Sequence, residues 1–392
     1  MGRRVRSAVA LACAVGAGAF LWDRAAAPLG WIALGGGIAA LVLGPRAGKL
    51  AGERAGRLLW AAGSALIALG ALELGLWLTA PVVPDRTFAD LYVPDDDLGY
   101  LPAPGVTRGS IVVGDVVSFD VEYTITPQRH RATPDVAPEA GGPTVVCLGG
   151  SCMFGLGLAA GDDLPSRLQA GLGEDARVVN LANPGWGAHQ ALAQVQSGRV
   201  AEIAAVPPMF CVYWAIPDHV SRGAGKAAFD RDGPLFVLQG DGRVARRGSF
   251  ADRATDADSA ASAVHGVRKR SLILRRLRER AERRRRTPAT IDDVDRWAGI
   301  VATIADEVGQ RFPGCELVVL MEDRRGGFAP EMLERLASID CRVLRTSEMM
   351  PEEPMHPTRW TLPRDPHPSA EATEHIARSL ADSLRVRTEG GR

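Results

Sequence analysis

A doubly wound α/β domain, with helices on both faces of a parallel sheet, is what the sequence predicts over about residues 143–388. Two observations predict it. Short apolar, β-branched runs alternate with helical stretches, and the runs are continuously apolar, as in strands buried on both faces. In order they are Thr144-Val-Val-Cys-Leu, a helix near 163–172, Arg177-Val-Val-Asn-Leu, a helix near 188–204, and Met209-Phe-Cys-Val-Tyr-Trp. After an insertion at about 223–290 the rhythm resumes with a helix near 291–311, Glu316-Leu-Val-Val-Leu, a helix near 330–338, Arg342-Val-Leu and a last helix near 369–384. Strands and helices in strict alternation give a flavodoxin-like, doubly wound sheet.

The insertion opens with an expected hairpin, Leu235-Phe-Val-Leu-Gln and Val244-Ala joined at Gly240-Asp-Gly. It continues into a basic run, residues 268–286, with a narrow Leu/Ile stripe: a solvated helix, or one that meets anionic lipid headgroups. No aromatic residues interleave it as they would in a nucleic-acid groove.

Ahead of the domain, residues 83–142 form an expected β-rich collar ending in a linker near 134–143. Ser110-Ile-Val-Val-Gly and the run from Val116 to Ile125 alternate as strands do. Residues 1–82 predict a membrane anchor of about three transmembrane helices, at 5–22, 27–43 and 58–80, each long enough for a ~30 Å hydrocarbon layer. Arg3, Arg4 and Arg6 precede the first span, and Arg46, Lys49, Arg54 and Arg57 stand between the second and third. With both clusters cytoplasmic, everything after Ala80 lies outside the cytoplasm. Cleavage of the first span as a signal would leave that placement unchanged.

Composition narrows the partners. Lys plus Arg (46) equal Asp plus Glu (46), so no global field favours nucleic acid. The six cysteines are too sparse for a disulfide scaffold and form no CxxC pair. Cys147, Cys211, Cys315 and Cys341 sit in apolar runs and Cys13 in a span, which reads as small core residues or, alternatively, one Cys315–Cys341 bridge. No phosphate-binding Lys follows the glycines after the first strand, no acidic residue stands about 20 positions on, and no metal cluster is spaced for ligation, so neither cofactor nor metal is expected.

Active sites of open α/β sheets form at the carboxyl ends of the strands. There the first strand ends Val146-Cys-Leu-Gly-Gly-Ser151, placing a serine on the strand-to-helix turn as a nucleophile or as a helix cap. The second ends Asn180-Leu-Ala-Asn-Pro-Gly185-Trp-Gly, and Asp365-Pro-His367-Pro-Ser-Ala stands just before the last helix. His367, between two prolines, is either a base or a rigid turn residue.

These segments, in this order, resemble successive blocks of the SGNH (GDSL-like) hydrolase superfamily: the nucleophile block, the glycine block and the Asp-x-His-Pro block. The stretch from Val121-Glu-Tyr-Thr-Ile-Thr-Pro to Arg131-Ala-Thr-Pro is similar to one that precedes the domain in anchored members. The resemblance implies Ser151 as nucleophile, His367 as general base and Asp365 as its orienting acid, with main-chain N–H groups of Ser151 and Gly185 holding an oxyanion. One block departs. Where the family has Gly-x-Asn-Asp, this chain has Ala215-Ile-Pro-Asp-His-Val-Ser-Arg. His219 is then the candidate third donor and Asp218 a supporting residue, or both merely cap a loop; an ionised Asp218 cannot donate. His189 and His356 lack partners at ligand spacing and are expected as surface histidines or satisfied loop histidines.

The function implied is a serine esterase acting at a membrane, outside the cytoplasm, on an acyl ester of a glycan, a lipid or a small alcohol. An O-acyltransferase would use the same acyl-enzyme, and the altered asparagine block leaves room for a silent binding protein.

Overall fold

The computed structural model describes residues 28–78, 85–88, 91–134, 141–227, 229–253, 288–324, 326–350 and 357–390. The expected span at 5–22, the basic run at 268–286, Cys13 and His356 lie outside the described residues. The chain divides into two compact units, Met1–Val82 with Thr255–Arg286, and Val83–Ala254 with Thr287–Arg392.

In the first unit, helix Pro28–Ala51 and helix Glu53–Leu78 meet at Gly52, whose φ is 92°. They pack closely: a Cβ on Gly37 would lie 2.7 Å from the Gly63 carbonyl oxygen, and one on Gly63 2.9 Å from that of Gly37. Small residues permit helices to approach this closely. Among the described residues one helix, Glu53–Gly75, is long and apolar enough to cross a membrane. The basic loop expected between the second and third spans is corrected. Arg46 and Lys49 lie within the first helix and Arg54 and Arg57 within the second, so the connection is Gly52 alone.

The second unit begins with the collar: β1 (Asp85–Thr87), β2 (Tyr92–Asp95), β3 (Gly99–Pro102), β4 (Gly105–Val113) and β5 (Val116–Ile125). β1, β4 and β5 form an antiparallel sheet and β2 and β3 a hairpin. The collar is not a free spacer. Beyond β5, Arg131 bridges Asn180 and the Thr133 hydroxyl donates to the Val178 carbonyl at 2.6 Å, fastening this segment to the edge of the main sheet.

That sheet contains β6 (Thr144–Gly149), β7 (Arg177–Asn180) and β8 (Phe210–Ala215). After an antiparallel hairpin of β9 (Pro234–Leu238) and β10 (Val244–Ser249), it is completed by β11 (Glu316–Met321) and β12 (Arg342–Arg345). Its order is β12-β11-β8-β6-β7, with all neighbours parallel. Growth reverses direction between β6 and β8, the switch point where ligands bind in such sheets.

Burial on both faces explains the continuous apolar runs. Val146, Leu148, Cys211, Tyr213, Leu317 and Val319 enter one core, with the helices Ala188–Gln196 and Ile291–Arg311. Val145, Cys147, Val212, Trp214, Val318 and Leu320 enter the other, with Leu164–Leu172, Ala370–Gly390 and the collar residues Ile111 and Phe119. One expectation changes, and the alternative of a Cys315–Cys341 bridge falls. The helix expected over 188–204 is two, Ala188–Gln196 and Arg199–Ala204, broken at Gly198 with φ 82°. Cys315 and Cys341 are both free thiols, and the Cys315 Sγ instead faces Cys211 Sγ at 3.8 Å.

Candidate active site

β6 ends at Gly149, and helix Ser151–Phe154 starts two residues later with Ser151 at its first position, 5% exposed. The glycine between them makes room. A Cβ on Gly150 would stand 2.8 Å from the Trp186 carbonyl oxygen, 3.0 Å from His219 Nε2 and 3.1 Å from Arg222 Nη1. The loop after β7 and the helix after β8 thus converge on the turn that carries the serine.

Asp365 and His367 come from the loop between helices Pro357–Trp360 and Ala370–Gly390. Arg364 takes φ 53°, and the main chain closes on itself: Leu362 N donates to the His367 carbonyl at 2.9 Å and Asp365 N to the Leu362 carbonyl at 3.1 Å. The His367 main-chain N–H donates to Asp365 Oδ1 at 2.9 Å, and its ring Nδ1 lies 2.5 Å from the same oxygen. The opposite nitrogen, Nε2, is 2.7 Å from Ser151 Oγ. Hydroxyl, imidazole and carboxylate form one hydrogen-bonded chain across residues far apart in sequence. Burial would raise the Asp365 carboxyl, but the bonds from the His367 ring and main chain, with Arg86 nearby, outweigh it and hold its pKa below the usual carboxylate value.

His219 lies on the other side of this turn, wholly buried, with Nδ1 2.6 Å from the Tyr213 hydroxyl. Burial, reinforced by the Arg222 charge and by His189, keeps its pKa well below that of an ordinary imidazole, so the ring is neutral. Arg222 donates from Nη1 to the Trp186 carbonyl at 2.8 Å and brings a positive charge beside Gly150. Asp218 points away: its side chain is 76% exposed and pairs loosely with Arg222 at 3.7 Å. Gly185 has φ 87° and stands against the Tyr100 hydroxyl and the Phe229 ring, one residue before the Trp186 carbonyl that touches Gly150's space.

The short serine helix is held from below. Arg131, 2% exposed, donates to the carbonyls of Phe154, Gly155, Leu158 and Ala159 at 2.6–3.0 Å and pairs with Asp163 at 3.3 Å. Asn180 adds bonds to Met153 and Phe154, and the Tyr123 hydroxyl accepts from Gly157 N at 2.8 Å. The collar motif around Arg131 therefore satisfies the helix's open carbonyl end.

Sequence reasoning singled out Ser151, Asp365, His367 and His219, which the structure brings to one edge of the sheet, but gave Arg131 no part in the site. Arg222 carried one signal, its place at the end of the Asp218-His-Val-Ser-Arg stretch. Asn183 stands in the glycine block but was given no role; it is buried, and its side-chain amide has no hydrogen-bond partner among the described residues. Of the two readings of His189 the surface one fails: it is a partnered histidine, fully buried on helix Ala188–Gln196, with Nε2 2.6 Å from Asp230 Oδ2, and the same carboxylate receives Gln190 Nε2 at 2.9 Å.

Fold and site define a doubly wound α/β unit whose switch-point edge carries a serine–imidazole–carboxylate chain. No family model matches the chain, and no curated protein matches it. The chain is similar to several solved structures. One belongs to a protein assigned to the G-D-S-L lipolytic family from Desulfitobacterium hafniense, with TM-score 0.36 and 12% identity over 62% of this chain and 98% of that one. Another is a carbohydrate acetylesterase from Sinorhizobium meliloti, with TM-score 0.33 and 12% identity over 62% of this chain and 99% of that one. A third is an acetyl xylan esterase from Butyrivibrio proteoclasticus, with TM-score 0.35 and 10% identity over 72% of this chain and 69% of that one.

Proposed function

We propose that the protein is a serine esterase of the SGNH hydrolase type, held in a membrane by its N-terminal helices, that cleaves carboxylic esters outside the cytoplasm through an acyl-enzyme on Ser151. The observation that carries this reading is the continuous hydrogen-bonded chain from Ser151 Oγ through His367 to Asp365.

The chemistry follows from those contacts. The Ser151 hydroxyl donates to His367 Nε2, so as Oγ bonds to the ester carbonyl carbon its proton passes to the ring. Asp365 accepts the Nδ1–H, fixes the tautomer and stabilises the imidazolium. Negative charge gathers on the former carbonyl oxygen, where the main-chain N–H groups of Ser151 and Gly185 and the ring N–H of His219 serve as donors. Arg222 adds a favourable field. The C–O bond then breaks, the alcohol leaves with the proton from Nε2, and water repeats the sequence to release the acid and restore Ser151.

Hydrolysis of a short p-nitrophenyl ester by the full chain tests the reading: Ser151→Ala should abolish turnover, and equal rates in the two proteins would refute it. Placement is tested separately. A reporter fused after Arg392 should be active only outside the cytoplasm, and cytoplasmic activity would overturn the membrane reading.

A further inference from the structure

We propose that Tyr213 and Trp297 are positioning residues for this site: they hold His219 in the tautomer whose proton sits on Nε2, aimed at the turn carrying Ser151. What that proton does rests on the esterase reading; the tautomer does not.

The three side chains are fully buried and lie in a row. Trp297, on helix Ile291–Arg311, directs Nε1 at the Tyr213 hydroxyl across 3.5 Å, and that hydroxyl lies 2.6 Å from His219 Nδ1. The Tyr213 and His219 rings are stacked, 29° apart. An indole nitrogen only donates. The phenol oxygen therefore accepts from Trp297 and must place its own proton elsewhere, and among the described residues its other partner is Nδ1. With Nδ1 accepting, the neutral ring carries its single proton on Nε2. The reverse arrangement would leave a buried phenolic proton without an acceptor and turn a lone pair toward the site, two unsatisfied groups instead of one.

Both groups keep the protons this requires. Burial pushes Tyr213 above an ordinary phenol, against smaller opposing effects of Trp297 and Arg222, and His219 stays neutral for the reasons given above. Nε2 itself is buried and has no partner among the described residues, yet it faces the space beside Gly150. Arg222, whose charge acts on the ring, gives Nη1 to the Trp186 carbonyl. An unpaired buried donor in a native structure calls for a role. A developing oxyanion supplies one, and a neutral imidazole donating from Nε2 can do there what the asparagine amide of the SGNH pattern does.

Tyr213→Phe keeps the ring and removes the hydroxyl. One oxyanion donor is worth about 10²–10³ in rate, which sets the ceiling, and we expect kcat for a short ester to fall at least about tenfold with KM within about twofold. In a His219→Ala background the same change should cost less than about twofold, because there is no ring left to orient. Full cost of Tyr213→Phe in both backgrounds would make Tyr213 merely structural and overturn the proposal. Nitrogen NMR of ¹⁵N-histidine-labelled full-length protein in detergent reads the tautomer directly. The His219 signals, identified by their loss in His219→Ala, should show a protonated Nε2 and a bare Nδ1; a protonated Nδ1 would overturn the proposal. If the wild type hydrolysed no ester, the esterase reading would fall while this spectrum still decided the tautomer.

Discussion

Replacing His367 by alanine is expected to lower ester turnover by about 10⁴–10⁶, because the serine loses the one base that touches its hydroxyl among the described residues and the leaving alcohol loses its acid. Asp365→Asn should cost less, at most about 10⁴, since the serine and imidazole remain and the loop still holds the ring near Ser151. Steady-state rates for both variants beside the wild type check the order. The sign of the pH dependence follows from the depressed Asp365 carboxyl. A lowered folded-state pKa contributes stability that is complete above the unfolded value of about 3.9 and is lost as pH falls through the folded one. The stability that this carboxylate contributes should thus be lost only below about pH 4, where the gap between wild type and Asp365→Asn narrows.

Arg131→Ala should destabilise the α/β unit by about 3–5 kcal/mol, a fall in melting temperature on the order of 10 °C. Its guanidinium satisfies four carbonyls and offsets the buried charge of Asp163, which also caps helix Leu164–Leu172. Truncation leaves the carbonyls of Phe154, Gly155 and Leu158 and the Asp163 carboxylate buried without that partner. Arg131→Lys should rescue little, because an ammonium is a point charge and cannot reach both Phe154–Gly155 and Leu158–Ala159 as the planar fork does. A thermal melt of each variant measures this, and ester turnover should fall with the loosened Ser151 helix.

The strands β6, β8 and β11 are legible in the sequence because both their faces are buried, leaving no polar residue to interrupt the runs. Helix Ile291–Arg311 is equally plain from its period and from Thr290 and Asp293 at its start. The break at Gly198 is hidden because Leu192 and Val195 before it and Val200 and Ile203 after it enter the same core, so the apolar period runs through. β1, β2 and β3 are short and rich in Gly, Pro and charge, and only pairing with partners elsewhere in the collar makes them strands.

At the site, Ser151, His219 and His367 can be singled out because each follows a strand end or precedes a helix, where side chains of a doubly wound sheet gather. Arg131 and Tyr213 cannot. One is a collar residue reaching under the Ser151 helix, and the other looks like any aromatic residue in a buried strand; each role exists only through a contact the fold creates.

The central claim is that Ser151 is an activated nucleophile. A fluorophosphonate probe tests it most directly, since phosphorus is attacked by a serine whose proton a neighbouring base removes. Mass spectrometry of the labelled full chain should find one adduct, on the peptide containing Ser151, absent from Ser151→Ala and strongly reduced in His367→Ala. An unlabelled wild-type serine, or equal labelling after Ser151→Ala, would contradict the account.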